Sequence, residues 1–310
     1  MSEKLKYDVQ YNDPVTGEQK KIDKGTILYT EQDQKMKELK KEAKHRRFLR
    51  RDNEKRLGGF VSMRSVPLKK KINPQTLGRL AYLSVYLGYD TDRLMLSERQ
   101  PMYRQDLPDV LRLPASTTND FIHDATASGI LVVDECGQLF MDETFFKGRT
   151  KRKKKIHLFI DSIKSLYNRM MAENRIEGKR KGKNQNVRYF GYIIALIPFI
   201  NKEWNVVCHN PEERDIHKLD CMSIGEICEL LNVNAGASNR IVNVLTHISF
   251  VVNGEDGKPQ QEQALCNFIK DIVTNKYRLI INPDLLFMGS NPEQVKSYGQ
   301  FFPVKPLKGF

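Results

Sequence analysis

The segment SNRIVNVL, residues 238–245, combines hydroxyl, carboxamide and guanidinium side chains with an apolar helical pattern. Its polar members are Ser238, Asn239, Arg240 and Asn243. A guanidinium can form two hydrogen bonds with guanine, and a carboxamide can do the same with adenine. These four side chains are therefore candidates for contacts with the base edges of DNA.

A second segment of the same kind, ASTTNDFIHDA, lies at 115–125. Its candidates for base contacts are Thr117, Thr118, Asn119 and His123. Asp120 and Asp124 stand beside them, and their carboxylates would repel phosphates. The later segment is therefore the better candidate for reading DNA, and the earlier one could equally serve dimerisation or partner binding.

The positive charge of the chain is concentrated in two regions. Of the formal net charge of +13, residues 1–80 contribute +10 and residues 151–190 contribute +10, whereas residues 81–150 contribute −5. Clustered cations suit a phosphate backbone, which they attract without regard to sequence. The candidate backbone contacts are Arg46, Arg47, Arg50, Arg51, Lys147, Arg149, Lys151, Arg152, Lys153, Lys154, Lys155, Lys179, Arg180, Lys181 and Lys183.

Both candidate segments belong to a longer repeat. An offset of 120 places Leu107 on Ile227 and Phe121 on Ile241 without a gap. Upstream, LGRLAYLSVYLGY (77–89) matches VRYFGYIIALIPF (187–199) at an offset of 110, and downstream LFMDETFF (139–146) matches LIINPDLL (279–286) at an offset of 140. The second copy thus carries about twenty extra residues between its last strand-like runs.

Each copy has the order long helix, short helix, turn, helix, strand, loop, strand, which is the order of a winged helix. Gly129 is placed to end the second helix of the first pair in a left-handed conformation, and Ser116 or Thr117 could cap its start. We therefore predict an α+β, mostly helical chain with two winged-helix domains in tandem. The predicted regions are a basic N-terminal arm (1–75, a hairpin plus a charged helix), a first winged helix (76–150), a basic connecting helix and linker (151–186), a second winged helix (187–290) and a C-terminal tail (291–310).

This pattern resembles the winged-helix DNA-binding superfamily. More narrowly, INPDLLFMGSNPEQVKSYGQFF (281–302) and the N-terminal DPVTGE (13–18) are similar to RepL-type plasmid replication proteins and related phage regulators of Firmicutes. The resemblance implies a phage or plasmid protein that binds double-stranded DNA. The chain departs from the single-domain pattern by carrying the unit twice and by its basic arm.

Motifs of several other protein classes are missing from the sequence. GxxxxGK[ST], His-x-His, G-x-S-x-G and HExxH do not occur, so we expect no enzymatic activity and no cofactor. Cys208, His209, His217, Cys221 and Cys228 are zinc-ligand types, but they lack close CxxC pairs, and core or surface roles are favoured. The sparse cysteines and the lack of a long apolar run predict a cytoplasmic protein with no membrane association. The resemblance to DNA-binding proteins implies a location at the bacterial nucleoid.

Three functions fit these features. The favoured one is a transcription regulator that binds operator DNA through winged helices and basic arms. The second is a plasmid or phage replication initiator that binds origin repeats and recruits host replication proteins. The third is an adaptor whose winged helices bridge proteins. A homodimer would be an ordinary way to recognise a palindrome.

Overall fold

The structure is a computed structural model. It describes residues 9–12, 19–22, 40–41, 58–68, 71–148, 155–176, 185–234, 236, 238–252, 261–270, 277–287, 302 and 305–306. The fold is mixed α/β, about 43% helix and 27% strand, with small antiparallel sheets. Helix is the larger of the two shares, in agreement with the α+β class that the sequence predicts. The chain divides into two compact units, Met1–Phe48 and Leu49–Phe310.

The smaller unit contains the hairpin that the sequence predicts. Strands β1 (Val9–Asn12) and β2 (Gln19–Ile22) pair antiparallel, with Val9 opposite Ile22. The Asp, Pro and Gly residues between them are typical of a turn. Of the charged helix predicted to follow, residues 40 and 41 are helical and exposed. Arg46, Arg47, Arg50 and Arg51 lie outside the described residues.

The larger unit holds two sets of elements in similar order. The first set consists of β3 (Phe60–Arg64), α1 (Pro74–Leu83), a 3₁₀ turn (Ser84–Tyr86), β4 (Met95–Ser97), β5 (Gln100–Pro101), a 3₁₀ turn (Arg104–Asp106), α2 (Leu107–Leu111), α3 (Ala115–Ser128), β6 (Leu131–Val133), β7 (Leu139–Met141) and β8 (Phe145–Phe146).

The second set has no counterpart of the β4–β5 pair, and it adds one helix after its opening strand and one hairpin before its closing strand. It consists of β9 (Lys155–Phe159), α4 (Ile160–Ile176), α5 (Gln185–Leu196), 3₁₀ turns (Ile197–Phe199 and Ile216–Lys218), α6 (Ile224–Leu230), α7 (Ser238–His247), β10 (Ser249–Val252), β11 (Gln261–Ala264), β12 (Cys266–Lys270), β13 (Tyr277–Ile281) and β14 (Leu286–Phe287). The extra residues of the second copy contribute to the β12–β13 hairpin.

A four-stranded antiparallel sheet joins the two sets in the order β14-β9-β3-β8. The strand that opens each set lies in the centre, and the strand that closes each set lies at an edge. At the central β3–β9 pair, Ser62 is opposite His157, and Ser62 Oγ lies 3.1 Å from His157 Nδ1. The sheet therefore relates the two sets by an approximate two-fold arrangement.

The helices α1 and α5 make the second connection between the sets. A Cβ on Gly191 would lie 1.6 Å from the carbonyl oxygen of Pro74, and one on Gly78 would lie 2.5 Å from that of Val187. Any larger side chain at these positions would force the backbones apart. The two glycines thus permit the close approach of the helices.

Helix α4 ties the two sets further together. The ring of Tyr167 stacks on Tyr82 at 3.8 Å between centroids, and its hydroxyl donates to the carbonyl oxygen of Leu111 at 2.9 Å. On the other side, the Ser165 hydroxyl accepts from the backbone N–H of Val251 at 2.8 Å. Buried apolar residues from Val61 to Phe287 form one hydrophobic core.

Two predicted boundaries change as a result. Val61 and Met63 of β3 are 0% and 1% exposed, so the segment predicted to close the N-terminal arm belongs to the core. Residues 155–176, predicted as a connecting helix in a linker, form a central strand and then α4. Ile156 and Leu158 are buried in that strand. The apolar residues of this segment predict a helix over its whole length, but the first of them pack in the sheet. The two sets share one hydrophobic core.

The C-terminal tail packs on its own unit where it is described. Phe302 is buried with Val206 and Ile280, and β15 (Lys305–Pro306) pairs with β11. At these residues the tail therefore packs against its own unit.

Candidate nucleic-acid interface

The α6–α7 pair is built from well-defined helix ends. Ser223 Oγ accepts from the N–H of Glu226 at 3.2 Å, and the Glu226 carboxylate accepts from the N–H of Ser223 at 2.7 Å, which together form a capping box. The hydrogen bonds with Ser223 are the main reason that the pKa of Glu226 is lowered to about 2. His209 Nε2, which lies 3.2 Å from the Glu226 carboxylate, lowers this pKa further. At the other end Asn232 adopts a left-handed φ of 54°, and the N–H of Val233 donates to the carbonyl of Cys228. The start and end of α6 are thereby fixed.

Helix α7 is amphipathic, with its apolar side chains buried and most of its candidate base-contacting side chains exposed. Ile241 and Leu245 are buried, whereas Asn239, Arg240 and Asn243 are exposed. Ser238, the first residue of the helix, is half-buried. The helix contains no Asp or Glu. Its outer face therefore offers an exposed guanidinium and two carboxamides with no carboxylate on the same helix.

Helix α3 occupies the equivalent place in the first set. Arg112 adopts the same left-handed φ of 54° as Asn232, and the N–H of Leu113 donates to the carbonyl of Pro108 as Val233 does to Cys228. The hydroxyls of Thr126 and Thr246 each donate to the carbonyls three and four residues earlier. These repeated bonds confirm the 120-residue offset.

The start of α3 differs from the prediction. The helix begins at Ala115 after Pro114, and no side chain caps it, so neither Ser116 nor Thr117 has the predicted capping role. Gly129 ends it at φ 79°, as predicted. Thr118 is 2% exposed and its hydroxyl donates to the carbonyl of Pro114 at 3.1 Å. Thr118 is therefore directed into the protein and is removed from the candidates for base contacts.

The remaining candidates on α3 are reachable but are surrounded by carboxylates. Thr117 is half-buried, and Asn119 and His123 are exposed. The carboxamide oxygen of Asn119 accepts from Arg104 at 3.1 Å, and His123 Nδ1 lies 3.7 Å from the Asp124 carboxylate. Asp120 and Asp124 are exposed and act electrostatically on the buried Arg79 guanidinium, which lies 5.9 Å from the Phe121 ring. Their charge thus partly offsets that of a buried cation.

One further side chain joins the α7 face. His247 is exposed at the end of the helix, and its Nδ1 lies 2.6 Å from the carbonyl oxygen of Asn243. It lines a hollow of about 260 Å³ with Asn243 and Arg169 of α4. Its position four residues after Asn243 would have allowed its prediction from helical spacing. Arg169, which pairs with Glu262 at 2.7 Å, is brought beside α7 by the tertiary fold, so helical spacing could not predict its position in this hollow.

The candidate backbone contacts are less completely placed. Arg149, Lys151, Arg152, Lys153, Lys154, Lys179, Arg180, Lys181 and Lys183 lie outside the described residues. Lys155 lies in β9 opposite Arg64. Lys147 is half-buried in a cleft of about 1530 Å³, which Lys164 and Tyr86 also line. Burial lowers the pKa of Lys147, and the positive charge of Lys164 lowers it further. The structure brings neither Lys147 nor Lys155 to α7.

The zinc-ligand residue types of the second copy do not gather at one point, although Cys208 lies opposite Cys221. Cys208 and Cys228 are buried, whereas His209 contacts Glu226. Across the described part of the chain, no three His, Cys, Asp or Glu side chains come together as a metal ion would require. Within the same ranges, no helix is long and apolar enough to cross a membrane.

No protein-family model matches the chain, and neither a curated protein nor a solved structure matches it.

Proposed function

We propose that this chain is a non-enzymatic, sequence-specific double-stranded DNA-binding protein that acts as a transcription regulator. The exposed face of α7, with Asn239, Arg240 and Asn243 on a helix without carboxylates, carries the proposal. In a helix-turn-helix the second helix enters the major groove and contacts bases through its first turns. Helix α7 follows α6, with Asn232 in a left-handed conformation after α6, and precedes the antiparallel strands β10 and β11. This order is typical of a winged helix.

The cations support the proposal through a different kind of contact. The basic segment that follows Gly148 comes directly after the first set, and a second basic segment lies between α4 and α5. Contacts from such segments to phosphates position a protein on DNA without specifying sequence. Binding is therefore expected to weaken steeply as salt rises. A protein with this partner would be located at the nucleoid.

Helix α3 is assigned a different task. The pair Asp120 and Asp124 places two carboxylates on its exposed side, where phosphates would approach if the helix lay in a groove. We assign base recognition to the second set and a protein-facing role to the first. With one reading helix per chain, recognition of a palindrome would need the second sets of two chains, as in a homodimer.

A replication initiator is the second candidate. It is favoured by the resemblance of residues 281–302 to RepL-type proteins. Within that segment the Asn282 carboxamide donates to the carbonyl of Ala264 at 2.8 Å and to Gln263 Oε1 at 3.0 Å, and its oxygen accepts from the N–H of Asp284 at 2.9 Å. In this role α3 would contact host replication proteins.

Genome-wide recovery of bound DNA from the native host tests these functions, followed by binding of the recovered fragments at two salt concentrations. Peaks at promoters that share a motif are expected for the regulator. Peaks confined to one cluster of origin-like repeats would replace it with the initiator. Recovery of no selective DNA would overturn both and assign the helices to protein bridging.

A further inference from the structure

Cys208 and Cys221 lie directly opposite each other on two antiparallel segments. The N–H of His209 donates to the carbonyl of Asp220 at 2.8 Å, and the N–H of Met222 donates to that of Val207 at 3.2 Å. These bonds flank the two cysteines, so the cysteines form a non-hydrogen-bonded pair. In such a pair the Cα atoms are about 4.5 Å apart, within the range of about 4.4 to 6.8 Å that a disulfide spans.

The surroundings of the two thiols differ. Cys208 is 0% exposed, whereas Cys221 is partly exposed. Burial raises the pKa of Cys208 to about 12, and the neighbouring Cys221 adds to this. An external reagent can thus reach Cys221 first, with Cys208 held behind it.

We propose that Cys208 and Cys221 are a reversible disulfide site that is oxidised by a low-molecular-weight disulfide such as oxidised glutathione. The Cys221 thiolate attacks one sulfur of the reagent, which breaks its S–S bond and releases one glutathione thiolate. The Cys208 thiolate then attacks the Cys221 sulfur of the mixed disulfide and releases the second glutathione thiolate. The two cysteines lose two electrons and two protons in total, and oxidised glutathione takes them up as two molecules of glutathione.

The bond would close a ring around residues 209–220, next to α6. Within this loop, Asp215 caps a 3₁₀ turn by accepting from the N–H of His217 at 3.0 Å, and Asn210 accepts from the N–H of Asp220 at 2.9 Å. His209 contacts Glu226, which forms the capping box of α6. Oxidation thus tightens the segment that leads into the α6–α7 pair. This site is independent of the proposed DNA function.

The test incubates the folded full-length chain with oxidised glutathione, blocks remaining thiols, and digests with trypsin and a glutamyl endopeptidase. That digestion separates three cysteines, with Cys208 in residues 204–212, Cys221 in 219–226 and Cys228 beyond Glu226. The expected product is the 204–212 and 219–226 pair, lighter by two hydrogens than the two peptides and separated by dithiothreitol. A Cys221→Ser variant should lose it, and a Cys228→Ala variant should keep it.

The exposed Cys136 serves as an internal control, because it should form only a mixed disulfide with glutathione. A stable mixed disulfide on Cys221 with Cys208 still alkylated after denaturation would overturn the proposal. Full alkylation of both Cys208 and Cys221, under conditions in which Cys136 reacts with oxidised glutathione, would also overturn the proposal. The wild-type chain decides the outcome even if a variant does not fold.

Discussion

Arg240 is the side chain on α7 with the greatest capacity to discriminate bases, since its guanidinium is exposed and fits the two acceptors of guanine. Arg240→Ala is expected to cost about 1 to 3 kcal/mol at one position of the binding site and to relax selectivity there. Binding to a library of single-base variants measures this. Lys218→Ala is the control. It also removes one cation from the second set, but at a position outside α7, and it should preserve selectivity. Equal selectivity in both variants would exclude Arg240 from base contacts.

Asn119 and Asn239 occupy equivalent positions at the 120-residue offset, and both are exposed. Asn239→Ala should change the preferred base at one position, because a carboxamide bonds adenine through two atoms. Asn119→Ala should leave the preference unchanged, because α3 carries carboxylates that phosphates avoid. The same variant library distinguishes the two. A change caused by Asn119→Ala would place α3 in the groove as well.

At this scale the sequence predicted most of the exposed candidates but not the direction of every side chain. Asn239, Arg240 and Asn243 lie outside the apolar stripe and are exposed as predicted. Thr118 is polar and lies among candidates, yet it is buried, because its hydroxyl is satisfied by a carbonyl four residues earlier. Polarity alone could not reveal this local bond.

The contact of α1 with α5 depends on glycine at two positions. Gly191→Ala should lower the free energy of unfolding by about 1 to 3 kcal/mol or more, because the new Cβ would overlap the Pro74 carbonyl. Gly225→Ala is the matched control, since its Cβ would meet only Ser223 Oγ at 3.8 Å on an exposed helical turn. It should be neutral or stabilise by up to about 1 kcal/mol. Urea denaturation compares them, and similar midpoints would refute the close packing.

The start of α6 is expected to depend on pH through Glu226. Its pKa falls from 4.5 to about 2 in the folded chain, so its contribution to stability is complete above pH 4.5 and is lost as pH falls toward 2. Glu226→Gln retains a capping group without the charge. The variant should be less stable than the wild type at pH 6, with the difference shrinking toward pH 2. Urea midpoints across this range provide the measurement, and a constant difference would contradict it.

The sequence predicted the helix pairs better than the elements that connect them. In the helix pairs, the left-handed residues Arg112 and Asn232 and the apolar spacing both give the same 120-residue offset. The sequence pattern predicts an offset of 110 for the first helices, but the bridges Leu87–Leu94 and Ile200–Val207 show that equivalent residues lie 113 positions apart. A shift of three residues keeps an apolar helical face in place, so periodicity could not separate these alignments. Strands β3 and β9 pair across a distance in sequence that local pattern does not reveal.

The larger unit is one compact body. One hydrophobic core contains residues of both sets, and the central sheet takes two strands from each. Separating the sets would expose the β3–β9 edge and the face between α1 and α5. Variants that test DNA binding are therefore best made in the full chain, and a fragment that contains only one set would lack half of its sheet.

The salt dependence of the proposed DNA binding is a property of the whole molecule, because it counts phosphates contacted anywhere on the chain. Each phosphate neutralised contributes about 0.9 to the slope of log affinity against log salt. Replacing Lys153 and Lys154 with Gln should flatten that slope by up to about 2 and weaken all duplexes alike. The control pair Lys202→Gln and Lys218→Gln removes the same charge from residues that contact Glu212 and Asp215. Fluorescence anisotropy over a range of salt concentrations compares both variants with the wild type. If both flatten the slope equally, net charge and not the basic segment governs binding; if neither does, the segment does not lie along the DNA.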